Sequence, residues 1–409
     1  MHLHFYTLKT NVLDDEEARD ENRDERDGNA MSVPQTSIAA HNDRAFDTLD
    51  AARGVAALIV ALHHQWAIHG QLFASGYLAV DFFFALSGFV LAHAYGDRLV
   101  SGRMKAREFL VARVVRLYPL YLLGLLAVLI ALSPALPWSL KAIVGKLPFA
   151  LAMLPSPTYD AVGFLYPFNI PSWSIFFELL INLVMALFCL QLRDPRIRWA
   201  AIILAAVYLD VHVLMQGGSV DDSGVWNTLD LGFARVAFSF FVGMQLYEWH
   251  QQRAASNQPK LHSAWAALSL VVLVACLALP KRGWLELACI LVVFPALIMV
   301  LAESRFSLGI AGVALRNLGI ASYALYMLHI AFQMGYVSLL ARHDLPPDHW
   351  PWAGVPLIGL IVAASWAADR WWDRPGRALM QSGLRRFASH RTGRKLAAQR
   401  AVPEADGGA

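Results

Sequence analysis

Ionisable side chains inside otherwise apolar runs are the residues of this chain that point to chemistry. In the first such run, Leu49 to His64, eleven residues separate Arg53 from His64. On a helix the two side chains then fall within about 20° of each other, roughly 16 Å apart along the axis. Asp50 lies near the same face, while His63 points about 80° away. The run reads as an apolar rod with one polar seam, Asp50 and Arg53 at its mouth and His64 near its centre. In the second run, Tyr77 to Phe89, an aspartate sits among aromatic residues. Asp81 is placed either to orient and polarise the His64 imidazole, as a carboxylate does in a hydrolytic triad, or to partner a buried arginine or cap its helix. Ser87 is either a secondary candidate for the site or, with Gly88, a close helix contact, since small residues let backbones approach in lipid.

Three further groups follow. Arg113 and Arg116 stand one helical turn apart, where fixed guanidinium groups either hold membrane topology or recognise a phosphate-bearing donor. Ser174, Glu178 and Asn182 recur every four residues and form a second polar seam; Glu178 either takes a proton or pairs with Arg53 or Arg235. Ser322, Tyr326 and His329 share a third face, where His329 is either a satisfied bundle histidine or part of the site. An ionisable group in the bilayer interior costs on the order of 2.5–3.5 kcal/mol, so several converging ones indicate a site. No metal-ligand spacing, phosphate loop or nucleophile elbow is present, and no metal is expected.

The elements that must position these groups are set by composition. Hydrophobic residues make up 57% of the 409 and charged ones 16%, and the mean hydropathy is +0.44. So apolar a chain is a polytopic membrane protein. The runs are too long and evenly apolar for barrel strands, which leaves an all-α transmembrane helix bundle. Ten spans are expected, at about 51–69, 77–96, 112–133, 173–192, 198–215, 230–249, 263–280, 284–302, 319–340 and 352–372, boundaries being soft by a few residues. The stretch 138–154 is shorter and more amphipathic and is expected to lie along the outer surface or be partly re-entrant. Lys and Arg gather between spans two and three, four and five, six and seven, and eight and nine, and in the C-terminal tail. The positive-inside tendency then puts both termini in the cytoplasm, with Lys281 and Arg282 as local exceptions. Residues 1–45 are expected to be a disordered charged tail, 46–380 the membrane domain, and 381–409 a basic, disordered tail. No apolar signal core precedes the first span, which is thus expected to act as its own insertion signal. Cys189, Cys276 and Cys289 lie in apolar runs and read as small core residues.

From about Leu49 to Met380 the chain resembles the membrane-bound acyltransferase family 3. The resemblance is carried by Leu49 to Ala57 followed by His64, by Val80 to Phe89, by Arg113 to Pro119, by Trp173-Ser174 with Glu178, and by Ser322 to His329. Each motif alone is weak, and five in order are specific. The resemblance implies an acyl-CoA co-substrate, most often acetyl-CoA, entering from the cytoplasm, with no tightly bound cofactor. It further implies a carbohydrate or glycolipid acceptor on the far side, and functional weight on Arg53, Arg113 and Arg116. The histidine at His64 becomes the central catalytic group, a neutral general base or transient acyl acceptor whose tautomer Asp81 would fix. The implied partners are the lipid bilayer, acyl-CoA and the acceptor, with no nucleic acid. Departures from the family pattern are Ala51 after the first aspartate, His63 before His64, Phe176-Phe177 in the fourth motif, and Asp373 where a glutamate commonly precedes the arginine and proline. A bacterial inner membrane is the expected location. A proton-coupled transporter using the same buried groups is the alternative from another class, although the chain lacks repeated halves.

Overall fold

The computed structural model describes residues 46–65, 73–132, 140–157, 163–215, 218–221, 223–256, 259–305, 309–346 and 351–386. The expected 1–45 tail and most of the 381–409 tail lie outside them. The residues up to Arg377 belong to one compact unit, and residues 378–386, the described part of a second, are helical. The described residues form helices joined by turns and irregular segments, with two isolated β-bridges and no strand among them. Helix α1 spans Asp47–His63, α2 Gly76–Val100, α3 Ala106–Leu132, α4 Leu140–Leu151, α5 Ser172–Leu187 and α6 Pro195–Met215. They are followed by α7 Leu229–Ala255, α8 Ser263–Ala278, α9 Gly283–Glu303, α10 Gly309–Ala341 and α11 Gly354–Ala368. Each of the ten apolar stretches overlaps a helix among the described residues. Six of these helices, α2, α3, α6, α7, α9 and α10, are long and apolar enough to cross a membrane; α5 and α8 are shorter apolar helices. The chain is an integral membrane protein.

Glycines decide which helices meet most closely. A Cβ on Gly88 of α2 would strike the backbone of Phe240 in α7, and one on Gly243 of α7 would strike Ala85 and Phe89 of α2. A second reciprocal contact joins α1 to α10, Gly54 lying on Leu318 and Gly319 while Gly319 lies on Asp50. Without side chains at these points the backbones touch, which is how helices associate where no hydrophobic drive separates them from lipid. The expected small-residue contact at Ser87-Gly88 is thus made by Gly88.

The same contacts fix direction. From Asp50 against Gly319 to the Gln333 side chain donating to the Ala61 carbonyl (2.7 Å), rising numbers on α1 meet rising numbers on α10, so the two run parallel. Likewise α2 and α7 run parallel, from Asp81 with Arg235 to Phe89 beside Tyr247. Neighbours in sequence, α6 and α7, run antiparallel, from Tyr208 with Asp230 to Arg198 with Gln245.

At the end of the bundle where α1 finishes and α2 begins, irregular segments are tied together by backbone bonds. Leu165 N donates to the Gly224 carbonyl (2.9 Å) and Trp226 N to that of Gly163 (2.9 Å). Lys281 pairs with Asp221 and lies over the Tyr77 ring, 5.1 Å from its centre, which accounts for a cation on this side.

Candidate active site

The first helix ends earlier than its hydropathy suggested. The expected span ran on past residue 65, but α1 stops at His63, and Gln65 N turns back to the Leu62 carbonyl (3.1 Å). His64 is therefore not near the centre of a span but at a helix end, with its Nδ1 2.8 Å from the Val60 carbonyl. A carbonyl only accepts, so Nδ1 carries the proton and Nε2 presents a lone pair. His329 of α10 is built the same way: its Nδ1 lies 3.2 Å from the Leu325 carbonyl, and its Nε2 is buried without a partner. The two rings lie 4.9 Å apart. His63, placed on another face by ideal helix geometry, joins them from the helix terminus at 5.0 Å from His64, its Nδ1 2.6 Å from the Phe73 carbonyl. Three imidazoles thus gather at one end of the bundle, each held by a backbone carbonyl.

Asp81 does not orient His64. It pairs with Arg235 of α7, Nη2 to Oδ2 at 2.5 Å and Nε to Oδ1 at 3.1 Å, both side chains fully buried. The remaining guanidinium protons go to the Val220 and Tyr77 carbonyls and the Ser223 hydroxyl, and the Trp173 ring covers the group at 5.4 Å. All five donors are used, so this is the structural pairing weighed for Asp81, and it ties Val220 and Ser223 to α2. A wholly buried guanidinium demands a carboxylate, and that demand outweighs the imidazole's.

Glu178 pairs with neither Arg53 nor Arg235 but with Arg113 (2.5 Å), and accepts from Ser87 Oγ (3.1 Å). Asn182 is buried with no partner, and Ser174 Oγ lies 2.8 Å from the Tyr326 hydroxyl. The expected seam on α5 therefore divides, because a step of four turns each successive side chain by about 40° and so toward a different neighbour. Arg116 meets Asp373 (3.3 Å), which also binds Arg377 (2.9 Å), and stands over the Tyr323 ring at 5.7 Å. Arg53 bonds Asp50 (2.8 Å), Ser322 Oγ (3.0 Å) and the Gly319 carbonyl (3.1 Å).

The candidates therefore do not form one polar seam; they are distributed along α10. At Ser322 and Tyr323 that helix carries Arg53 and Arg116 from two sides; at Tyr326, with its ring 5.9 Å from His329, it carries Ser174; at His329 it carries His64. Seven residues, about 10 Å of helix, separate the arginine level from the imidazole level. Arg235, Asp373, Arg377 and His63 are not among the candidate site residues read from sequence; Arg235 enters there only as an alternative partner of Glu178, and Asp373 and His63 as departures from the family pattern. For Arg235 the only signal was a charge in an apolar run. Among the described residues no cluster of His, Cys, Asp and Glu could hold a metal ion.

Residues 46–370 match the family described as an acyltransferase domain. Two curated proteins are similar to the chain. Protein 2 in the picA locus of Rhizobium radiobacter is 44% identical over 155 residues, 34% of this chain and 81% of that protein. The exopolysaccharide production protein ExoZ of Rhizobium meliloti (strain 1021) is 28% identical over 280 residues, 66% of this chain and 80% of that protein. No solved structure matches.

Proposed function

This chain belongs to the family 3 acyltransferases, and from that premise we propose that it moves an acyl group, most simply acetyl, from cytoplasmic acyl-CoA to a hydroxyl of a cell-envelope or exported carbohydrate. The similarity to a protein named for exopolysaccharide production favours exopolysaccharide as the acceptor. The observation that carries the reading is the two-level arrangement along α10. Arg53 and Arg116 flank Ser322 and Tyr323, with Arg113 on the same helix as Arg116. These guanidinium groups suit the phosphates of the donor, and the step of about 10 Å to His329 and His64 is one that an extended pantetheine arm spans.

In the proposed reaction His64 Nε2 takes the proton of the acceptor hydroxyl as its oxygen attacks the thioester carbonyl. The carbon–sulfur bond breaks, and the departing thiolate receives the proton from the imidazolium. The same lone pair could attack first and carry the acyl group for a moment; trapping a labelled protein after acid quench distinguishes the routes. Glu178 and Asp373, each already paired with an arginine, hold Arg113 and Arg116 in place.

Ten spans with both termini in the cytoplasm of a bacterial inner membrane complete the proposal. The directions of the helices support it: with α4 left out of the crossing count, α1 and α10 become spans one and nine, which must run parallel, and α2 and α7 become spans two and six. The test is transfer of label from acetyl-CoA to glycan in membranes containing the full chain. His64→Ala is expected to abolish it; wild-type transfer by that variant would overturn the mechanism.

A further inference from the structure

Beside the Ser174–Tyr326 pair, at the same end of the bundle as His64, a narrow cleft opens between α3, α4 and the segment leading into α5. Tyr121, Lys146, Tyr166, Phe168, Asn169 and Ser172 line it. Its walls are rigid. The Tyr121 hydroxyl donates to the Ala150 carbonyl (2.6 Å) and the Tyr166 hydroxyl to that of Met153 (2.7 Å). Met153 itself holds φ +58°, a conformation that costs a non-glycine residue energy and persists only where the surroundings impose it. The segment is fixed to the end of the bundle by the bond from Leu165 to Gly224.

Into this cleft the chain buries two polar atoms and leaves them unused. Asn169 is 2% exposed and Ser172 1%, yet neither Asn169 Oδ1 nor Ser172 Oγ has a hydrogen-bond partner among the described residues. The other end of the same amide is committed, Asn169 Nδ2 donating to the Met327 carbonyl of α10 (3.2 Å), so Oδ1 is held as an acceptor. Buried polar groups are rarely left unpaired without a reason. An amide oxygen that only accepts and a hydroxyl that both donates and accepts, in one lining, match a ligand hydroxyl, which can donate to the first and bond the second. The free space is about that of one water-sized group, room for a single hydroxyl and not for a sugar ring.

We propose that Asn169 and Ser172 form an acceptor subsite that takes one hydroxyl of the carbohydrate and so sets which of the others reaches His64. This rests on the acyltransferase reading above. The link to the reacting end runs through α10: Asn169 holds Met327, and the next residue back, Tyr326, binds Ser174 and lies against His329.

Ser172→Ala is the test, in membranes containing the full chain, with labelled acetyl-CoA and alkali-deacylated exopolysaccharide of Rhizobium meliloti as the probe. One neutral hydrogen bond lost from the bound acceptor raises KM for the polysaccharide about 3- to 10-fold, while KM for acetyl-CoA and kcat stay within about twofold. Because the variant deletes a hydroxyl with no partner in the fold, its melting temperature is at or above that of wild type. Ala150→Val, which narrows the cleft and removes no polar group, raises the same KM. An unchanged polysaccharide KM in both variants would overturn the subsite, and a lowered melting temperature with unchanged KM would identify a resident water as the occupant. A wild-type protein that labels no glycan would bring down the acceptor reading itself, and the subsite with it.

Discussion

The Asp81–Arg235 pair separates a structural role from a catalytic one by measurement. Asp81→Ala would leave a fully buried guanidinium with three of its five acceptors and no countercharge. Breaking a buried pair from one side costs about 3–5 kcal/mol, a large share of the roughly 5–15 kcal/mol that holds a protein folded. The apparent Tm in detergent, followed by intrinsic fluorescence, should fall by on the order of 5–10 °C. Removing both charges together, Asp81→Leu with Arg235→Met, leaves nothing unpaired and is expected to return Tm to within a few degrees of wild type. Acetyl transfer per folded molecule should then be retained within a few-fold, because His64 takes its tautomer from the Val60 carbonyl and not from Asp81. If Asp81 acted on the imidazole instead, Asp81→Asn would cost about 10⁴-fold in kcat at nearly constant Tm. In that case the double substitution would rescue nothing, and the assignment made here would be refuted.

Other outcomes follow from the same contacts. Gly88→Ala or Gly243→Ala puts a methyl group against a facing backbone and should destabilise the protein by about 1–3 kcal/mol in thermal unfolding; unchanged melting would deny the close approach of α2 and α7. Arg113→Ala and Arg116→Ala should each raise the KM for acetyl-CoA about tenfold or more and leave the acceptor KM alone. Equal effects on both substrates would argue against a donor site. His329→Leu removes a buried lone pair beside His64 and should lower kcat by about tenfold or more without lowering Tm. Loss of stability in step with rate would make the second imidazole a packing residue only.

Which helices exist was legible in the sequence, because hydropathy along the chain reports burial in lipid directly. Where α1 ends was not. Its last turn is fixed by the Phe73 carbonyl on His63 and by the turn from Leu62 to Gln65, and apolar character carries no record of either. The individual charges were legible as well, since a carboxylate or guanidinium in an apolar run is conspicuous. Their partners were not. Asp81 lies 154 positions from Arg235, and Glu178 lies 65 from Arg113; which pairs form depends on how each helix is rotated about its axis, a quantity set by contacts such as Gly88 on Phe240. An isolated helix gives the angle between its own side chains but not the direction they face. The seam on α5 divided for this reason, and α10 divides too: steps of four and three bring Ser322 and His329 back within about 20° of each other, against Arg53 and His64, while Tyr326, about 40° round from Ser322, meets Ser174 of α5.

The same dependence on rotation explains why α10, and not the first helix, organises the site. A helix bearing charges can be turned outward or inward by small shifts in packing, whereas α10 is gripped by α1 through the paired glycines Gly54 and Gly319, and by α3 where Gly124 meets the Met327 carbonyl. The two grips lie about 12 Å apart along α10, eight residues at 1.5 Å each, and bracket Ser322, Tyr323 and Tyr326. Rotation of the helix is then prevented at both ends of the stretch that bears Arg53, Arg116 and Ser174. His329 follows within one turn, and the Gln333 bond to the Ala61 carbonyl closes the segment beyond it. Replacing Gln333 by Leu would open that last constraint while touching no group assigned to the reaction. The spacing between His64 and His329 would loosen, and kcat should fall with both KM values held. A fall in donor affinity instead would show that the arginine and imidazole levels move as one body.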